Sequence, residues 1–327
     1  MYTRHVVDII GAPFDLCGMR LGSRLGPAAI RLAGLSDALL GLGLAAQDLG
    51  DVAVDLNPTS GPGMRSFQPL LECIRLLRAR VSGSIAAGRL PVVLGGEHTL
   101  AVAGVSAALE AYGENLAVLW IDAHADVNTP GSSSTGNIHG MPIAALWGTP
   151  SEAENEVDAQ WQELLDLLGP TRLQPTKTAW FGLRDVDVSE RHRMHGLPVT
   201  MHDVDRYGVD ACVGMITRWL SDFRGTHLWI SFDVDALDPI LAPGTGTAVR
   251  GGLTYREAHL LAELLHEALR VAKVQLAGVD LVETNPLEDR NNETAQVAVE
   301  WIASLFGKTI LGNDLLAHEA TARVGTI

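Results

Sequence analysis

Three short runs gather the side chains best suited to holding a cation. They are Gly95-Gly96-Glu97-His98, Asp122-Ala123-His124-Ala125-Asp126 and Asp233-Val234-Asp235-Ala236-Leu237-Asp238. Mixed carboxylate and imidazole ligation without cysteine suits Mn²⁺ or another borderline-hard ion. Alternate residues of an extended chain point the same way, so Asp122, His124 and Asp126 would converge as a strand opens into a loop. Asp233 and Asp235 stand in the same i, i+2 relation. Carboxylates crowded this closely repel one another unless cations neutralise them. Two cations roughly 3.5–4 Å apart would share bridging carboxylates and turn a water into a nucleophile near neutral pH. Taken singly, each run has an ordinary reading: a D-x-D is commonly a loop or a cap, and a histidine after two glycines commonly sits in a turn. Their coincidence in one chain carries the argument.

Strands must bring these runs together. Short β-branched or apolar runs cover residues 5–13, 46–54, 91–98, 116–126, 178–185, 197–204, 227–238 and 274–286. Several are apolar at consecutive positions, as in Val118-Leu119-Trp120-Ile121, which implies burial on both faces. Helical patterns fill intervals between them at 68–87, 208–223, 255–271 and 293–306. Thr254 is placed to cap the third of these. An acidic stretch at 151–156 reads as a solvated loop before a short helix near 160–168. Strands alternating with helices predict one α/β domain over 1–327, with a mostly parallel sheet. In such sheets ligands bind beyond the carboxyl ends of the strands, where all three runs fall.

The 327 residues include 24 Lys and Arg against 39 Asp and Glu, a formal net charge of −15. That acidity argues against a nucleic-acid or anionic-membrane partner, since phosphate binding needs a basic face. A hydrophobic share of 47% against 19% charged excludes a disordered chain and permits a large core. Three widely spaced cysteines, Cys17, Cys73 and Cys212, make no disulfide framework or metal motif; they read as small buried residues in a reducing compartment. Neither a signal peptide nor a membrane-length apolar run stands out, so a cytoplasmic location is expected.

The set GGEHTL, IDAHADVNTP, GNIHGMP, GLRDVD, SFDVDALDP and GLTYREA, with ETNP near the end, resembles the arginase/agmatinase (ureohydrolase) family over almost the whole chain. The resemblance implies a three-layer α/β/α fold around an eight-stranded parallel sheet, with two Mn²⁺ per subunit. One ion would be held by His98, Asp122, Asp126 and Asp233. The other would be held by Asp122, His124, Asp233 and Asp235, with Asp122 and Asp233 bridging. The arginase branch is the closer match. Asn128, Thr135 and Asn137 match positions that contact a substrate α-carboxylate, with Ser133 a polar neighbour. Asp187 and Glu190 match acids that recognise the α-ammonium directly or through water. Neutral donors for a carboxylate and acids for an ammonium make electrostatic sense. His139 resembles a proton shuttle, and Glu283 a salt partner of the guanidinium. The other histidines (His5, His192, His195, His202, His227, His259, His266, His318) match no metal motif and read as structural or exposed. By the same resemblance a homotrimer or homohexamer is expected.

Three departures bear on the substrate. Glu97 and Thr99 give GGEHT, closer to the agmatinase branch than the usual arginase GGDHS. Residues 20–26 (RLGSRLG) share that flavour, and Ala248 stands where many arginases have proline. The expected activity is hydrolysis of L-arginine to L-ornithine and urea by a hydroxide shared between the metals. Asp126 would pass a proton to the leaving amine and His139 would relay protons to solvent. Agmatine or another guanidino compound is the alternative substrate. A non-catalytic binding homologue is the alternative from a different class.

Overall fold

The computed structural model describes residues 6–59, 63–222 and 226–310; His5, Phe223 and His318 lie outside the described residues. All eight expected strands are present. They are β1 (Val6–Ala12), β2 (Ala45–Asp51), β3 (Leu90–Gly95), β4 (Leu116–Ile121), β5 (Thr178–Leu183), β6 (Leu197–Thr200), β7 (His227–Asp233) and β8 (Gln275–Val282). They form one sheet in the order β2-β1-β3-β8-β7-β4-β5-β6, and every neighbouring pair is parallel.

Strand alternation divides the core in two. Ile9, Leu94, Leu119 and Ile230 face helices α1 (Gly26–Leu32), α2 (Leu35–Gly41), α8 (Met201–Asp222), α9 (Tyr255–Ala272) and α10 (Glu293–Leu305). Their neighbours Ile10, Val93, Val118, Trp120 and Trp229 face α3 (Phe67–Ala86), α4 (Ala101–Tyr112), α5 (Pro142–Trp147) and α6 (Asn155–Leu168). A short helix, α7 (Val188–Arg191), lies outside both layers' cores. The result is a three-layer α/β/α arrangement. Parallel strands covered on both faces need apolar side chains at every position, and β3, β4 and β5 are buried throughout. On the β2 edge, Arg31 pairs with Asp48 at 2.7 Å and Asp51 at 2.6 Å, a charged border that discourages pairing with another strand.

Local chemistry sets the helix starts. At α9, Thr254 and Glu257 form a reciprocal capping box. At α8 the sequence pattern predicts a helix from 208, after a strand running to 204. Instead the strand stops at Thr200. The Thr200 backbone N–H donates to the Asp203 carboxylate at 2.9 Å, and the Asp203 N–H returns a bond to the Thr200 hydroxyl at 3.3 Å. That cap starts the helix at Met201, and Gly208, at φ 78°, kinks it where the helix was expected to begin. Deep in the second core, Trp229 fits only because Gly104 and Gly278 lack side chains: an added Cβ would stand 2.4 Å and 2.2 Å from its ring.

The strand ends matter most. β3, β8, β7 and β4 are consecutive in the sheet, and their carboxyl ends lead directly into His98, Glu283, Asp233 and Asp122.

Candidate metal centre and active site

β3, β4 and β8 stop short of His98, Asp122 and Glu283, whereas β7 ends on Asp233 itself. β4 ends at Ile121, and the chain then turns so that Asp126 takes a left-handed backbone conformation, φ 55°; beyond β8, Glu283 does the same at φ 60°. Both conformations are sparsely populated for residues with a Cβ, and they persist where surrounding structure enforces them. Strand alternation therefore does not deliver Asp126, as its spacing suggested; a turn does.

Two groups of ligand-type atoms result, His98 with Asp122 and Asp126, and Asp122 with His124 and Asp235; within each, the atoms lie within 4.8 Å of one another. His98 Nδ1 is 2.9 Å from Asp122 Oδ2, 3.3 Å from Asp126 Oδ2 and 3.1 Å from Asp233 Oδ2. His124 Nδ1 is 3.2 Å from Asp122 Oδ1 and 3.1 Å from Asp235 Oδ2. Asp122 thus turns one oxygen to each group. Asp233 turns Oδ2 to the first, while its Oδ1 accepts the Asp235 backbone N–H at 2.8 Å. His98 Nδ1 is buried and has no hydrogen-bond partner of good geometry. A nitrogen lone pair aimed among three carboxylates fits a cation, as does the absence of sulfur from the set.

The local charges respond to this crowding. Burial pushes the Asp126, Asp233 and Asp235 carboxyls up, and the neighbouring Asp122 carboxylate adds to the push on each. Asp122 is held well below the usual range, since His124 and His98 outweigh its burial. Both imidazoles are raised against the effect of burial by the carboxylates around them. Divalent cations would relieve the repulsion and take the place of those protons.

Residues that the sequence reading missed hold the ligands in place. His98 Nε2 meets Ser231 Oγ at 2.8 Å, and both Ser231 Oγ and Trp229 Nε1 donate to Asp280, each at 2.5 Å. Trp120 Nε1 donates to Asp122 Oδ2 at 3.0 Å, and the Thr247 hydroxyl donates to Asp235 Oδ2 at 2.8 Å. The Arg184 guanidinium donates to the carbonyls of Gly182, Asp235, Ala236, Leu237 and Val249, tying the β5 and β7 ends together. A signal was available: Ser231 and Asp280 are polar positions inside apolar strands, and a buried charge there needs a partner.

Beside the ligands, Glu283 Oε1 accepts the His98 backbone N–H at 2.9 Å and lies 3.1 Å from His139 Nδ1. Burial opposes a charge on His139, yet the Glu283 carboxylate lifts it to about 9. Glu97 is fully buried behind them. Its Oε2 accepts the Cys17 N–H at 2.8 Å and its Oε1 accepts the Thr99 hydroxyl at 2.9 Å. Burial pushes Glu97 up to about 7, with His139 pulling it down and Glu283 pushing it further up. The 20–26 departure is architectural as well. In 20–26, Asp15 accepts the Gly22 N–H at 2.6 Å and Arg24 Nε at 2.6 Å, and Gly22 (φ 131°) packs on Asn285, where a Cβ would come within 2.1 Å.

The cleft that exposes the ligands is also lined by Asn128, Ser133, Thr135, Asn137, His139, Asp187 and Glu190, so the expected substrate residues do meet. Their engagements differ. Asn128 Nδ2 donates to Asp187 Oδ2 at 3.1 Å, and its Oδ1 accepts from Ser132 and Ser189. Thr135 Oγ1 accepts the Asn137 N–H at 3.2 Å and Ser133 Oγ accepts that of Gly136 at 3.0 Å, which shape the loop. Glu190 is buried, and its two oxygens accept backbone N–H groups of Val127 and Asp187 at 3.0 and 3.1 Å. Glu190 therefore closes the capping box of α7 and stands behind Asp187.

The sequence profile of the Arginase family matches residues 5–307. An arginase from Staphylococcus aureus is 40% identical over 319 residues, covering 95% of this chain and 100% of that protein. Among solved structures, Bacillus caldovelox arginase superposes with a TM-score of 0.83 at 36% identity, over 95% of this chain and 100% of that one. Bacillus subtilis arginase gives 0.82 at 34%, over 94% and 100%.

Proposed function

The chain belongs to the arginase family, and from that premise we propose that it hydrolyses L-arginine to L-ornithine and urea with two manganese ions per subunit. It is a hydrolase acting on the guanidino group. The observation that carries the reading is the pair of His/Asp groups sharing Asp122 at the base of a cleft with a polar rim. His98, Asp122, Asp126 and Asp233 would hold one ion; Asp122, His124, Asp233 and Asp235 would hold the other. Bound there, the cations would supply a nucleophile from water near neutral pH and would stabilise the oxygen that adds to the guanidinium carbon.

The chain's own residues do the rest. A guanidinium is cationic and a poor electrophile, so it must be oriented. Glu283 spends Oε1 on His98 and His139, which leaves Oε2 for that cation. Asp126 would move a proton to the departing amine, a role supported by its position at the cleft next to His98. His139, also on the cleft wall, passes protons between Glu283's side and solvent. At the far end Asp187 would meet the α-ammonium, and Asn128, Ser133, Thr135 and Asn137 the α-carboxylate. Glu190 supports Asp187 from behind.

Glu97 does not favour the agmatine alternative, because it is buried, holds the Cys17 loop and does not line the cleft. A silent binding homologue would have no use for six assembled ligands. We read the chain as one domain, cytoplasmic, and a homotrimer or homohexamer, with a small guanidino compound as its partner and no nucleic acid or membrane. One continuous sheet supports the single domain, and no helix among the described residues is long and apolar enough to cross a membrane.

The test is urea release from manganese-loaded protein given arginine, agmatine or guanidinobutyrate. Arginine should exceed agmatine in kcat/KM by roughly tenfold or more, because donors built for a carboxylate are left unpaired without one. Equal or better use of agmatine would sink the arginine assignment while sparing guanidino hydrolysis.

A further inference from the structure

The cleft is acidic along its rim, with Asp185 and Asp187, and neither lysine nor arginine lines it. A substrate carboxylate would be repelled there unless something compensates. A guanidinium stands behind one wall of the cleft. Arg65, in the adjoining cavity that shares Thr135 and Asn137 with the cleft, donates through Nη2 to Asn137 Oδ1 at 2.9 Å and to the Gly18 carbonyl. Its segment is anchored on either side. Cys17 Sγ donates to the Arg65 carbonyl at 3.1 Å, and the Met64 N–H donates to Gln160 Oε1 at 2.6 Å.

This contact fixes an orientation. A guanidinium has donors and no acceptor, so the atom of Asn137 that faces it has to be the carbonyl oxygen. The amide nitrogen must then point away from Arg65, and among the described residues no protein acceptor takes it. An asparagine without such a partner could present either end to the cleft, and its oxygen would repel a carboxylate. A charge-assisted bond on the oxygen also polarises the amide and makes its N–H a stronger donor.

We propose that Arg65 is a specificity-determining positioning residue, which holds the Asn137 amide nitrogen towards the cleft and thereby favours ligands that carry a carboxylate. The proposal rests on the α-carboxylate reading given under the proposed function.

The probes are ornithine and putrescine, the products with and without that carboxylate, used as inhibitors of the manganese-loaded enzyme. In Arg65→Ala the preference for ornithine over putrescine falls by about tenfold, the scale of a lost hydrogen bond to a charged group. Arg65→Met, which keeps the aliphatic stem, gives the same loss if the alanine variant folds poorly, and Arg65→Lys restores most of the preference. In an Asn137→Ala background Arg65→Ala adds no further loss, since the two act as a unit. An unchanged preference, with both inhibitors weakened together, would show Arg65 to be a loop anchor only and overturn the proposal. A wild-type enzyme without any preference for ornithine would instead overturn the α-carboxylate reading beneath it.

Discussion

The His98 imidazole lies flat on the Trp120 indole, with ring centroids 3.9 Å apart and planes 6° from parallel. The same indole donates to Asp122. One core side chain therefore sets the tilt of an imidazole and the rotamer of the carboxylate that both ligand groups share. Trp120→Phe keeps a ring under His98 but removes the N–H. Metal affinity, measured by competition with a chelator, should fall by roughly 10–100-fold, the usual cost of losing a group that orients a ligand. Unaltered affinity would mean that Asp122 needs no such support.

Asp122→Ala and Asp233→Ala should each abolish urea release and leave fewer than two metals per subunit by elemental analysis, because a shared carboxylate neutralises both cations. Two tightly held metals with full turnover in Asp233→Ala would refute the ligand assignment.

His139→Asn should lower turnover by roughly 10²–10⁴-fold while metal content holds, as fits a proton carrier and not a ligand. Stability gives a second readout. His139 is raised from 6.5 to about 9, so its contribution is complete below its unfolded value and disappears as pH rises through about 9. In the chelated protein that contribution is about 3 kcal/mol. The unfolding gap between wild type and His139→Asn should therefore be wide in mild acid and narrow at about pH 10. A gap of constant width would show that no proton is held there.

Asp187 carries two duties, which its substitutions should separate. It caps α7 and accepts the Asn128 amide, so Asp187→Ala loses about 1 kcal/mol of capping together with the charge. Asp187→Asn keeps a capping oxygen but loses the charge and one of the two acceptor oxygens. The asparagine variant should raise KM for arginine with metal content and thermal stability near wild type. If only the alanine variant is impaired, Asp187 acts through the fold of α7 and not on the substrate.

The burial of Cys17 and Cys73 pushes their thiols well up, and Glu97 adds to both shifts. Neither should react with a thiol reagent in the native protein at about pH 8, since the thiolate is the reactive form. Both should react fully after denaturation. Rapid labelling of native Cys17 would reveal opening of its loop.

The candidate ligands are legible because strand-end motifs are local: Asp122, His124 and Asp126 announce themselves within five residues. What surrounds them is not local. Ser231 and Asp280 lie on different strands, and only the β7–β8 pairing makes them one chain of hydrogen bonds to His98. Glu190 matches an ammonium-recognising acid by resemblance alone, and its part in the capping box of α7 shows only once the fold brings Val127 and Asp187 to its two oxygens. The start of α8 was misplaced although Thr200 and Asp203 spell its cap, since a β-branched run into Val204 imitated a longer strand. Helix α4 escaped notice for a different reason. It is covered by small and apolar residues almost all round, so it lacks the one-sided period by which a surface helix is recognised.

The Trp229 indole, wedged between Gly104 and Gly278, also donates to Asp280, which anchors Ser231 and through it His98. A bulkier residue at Gly104, on α4 and itself no candidate ligand, would press on that ring and pass the displacement to the His98 imidazole. Such a variant would behave as a conditional metal-deficiency allele, with activity lost at limiting manganese and regained when the cation is supplied in excess.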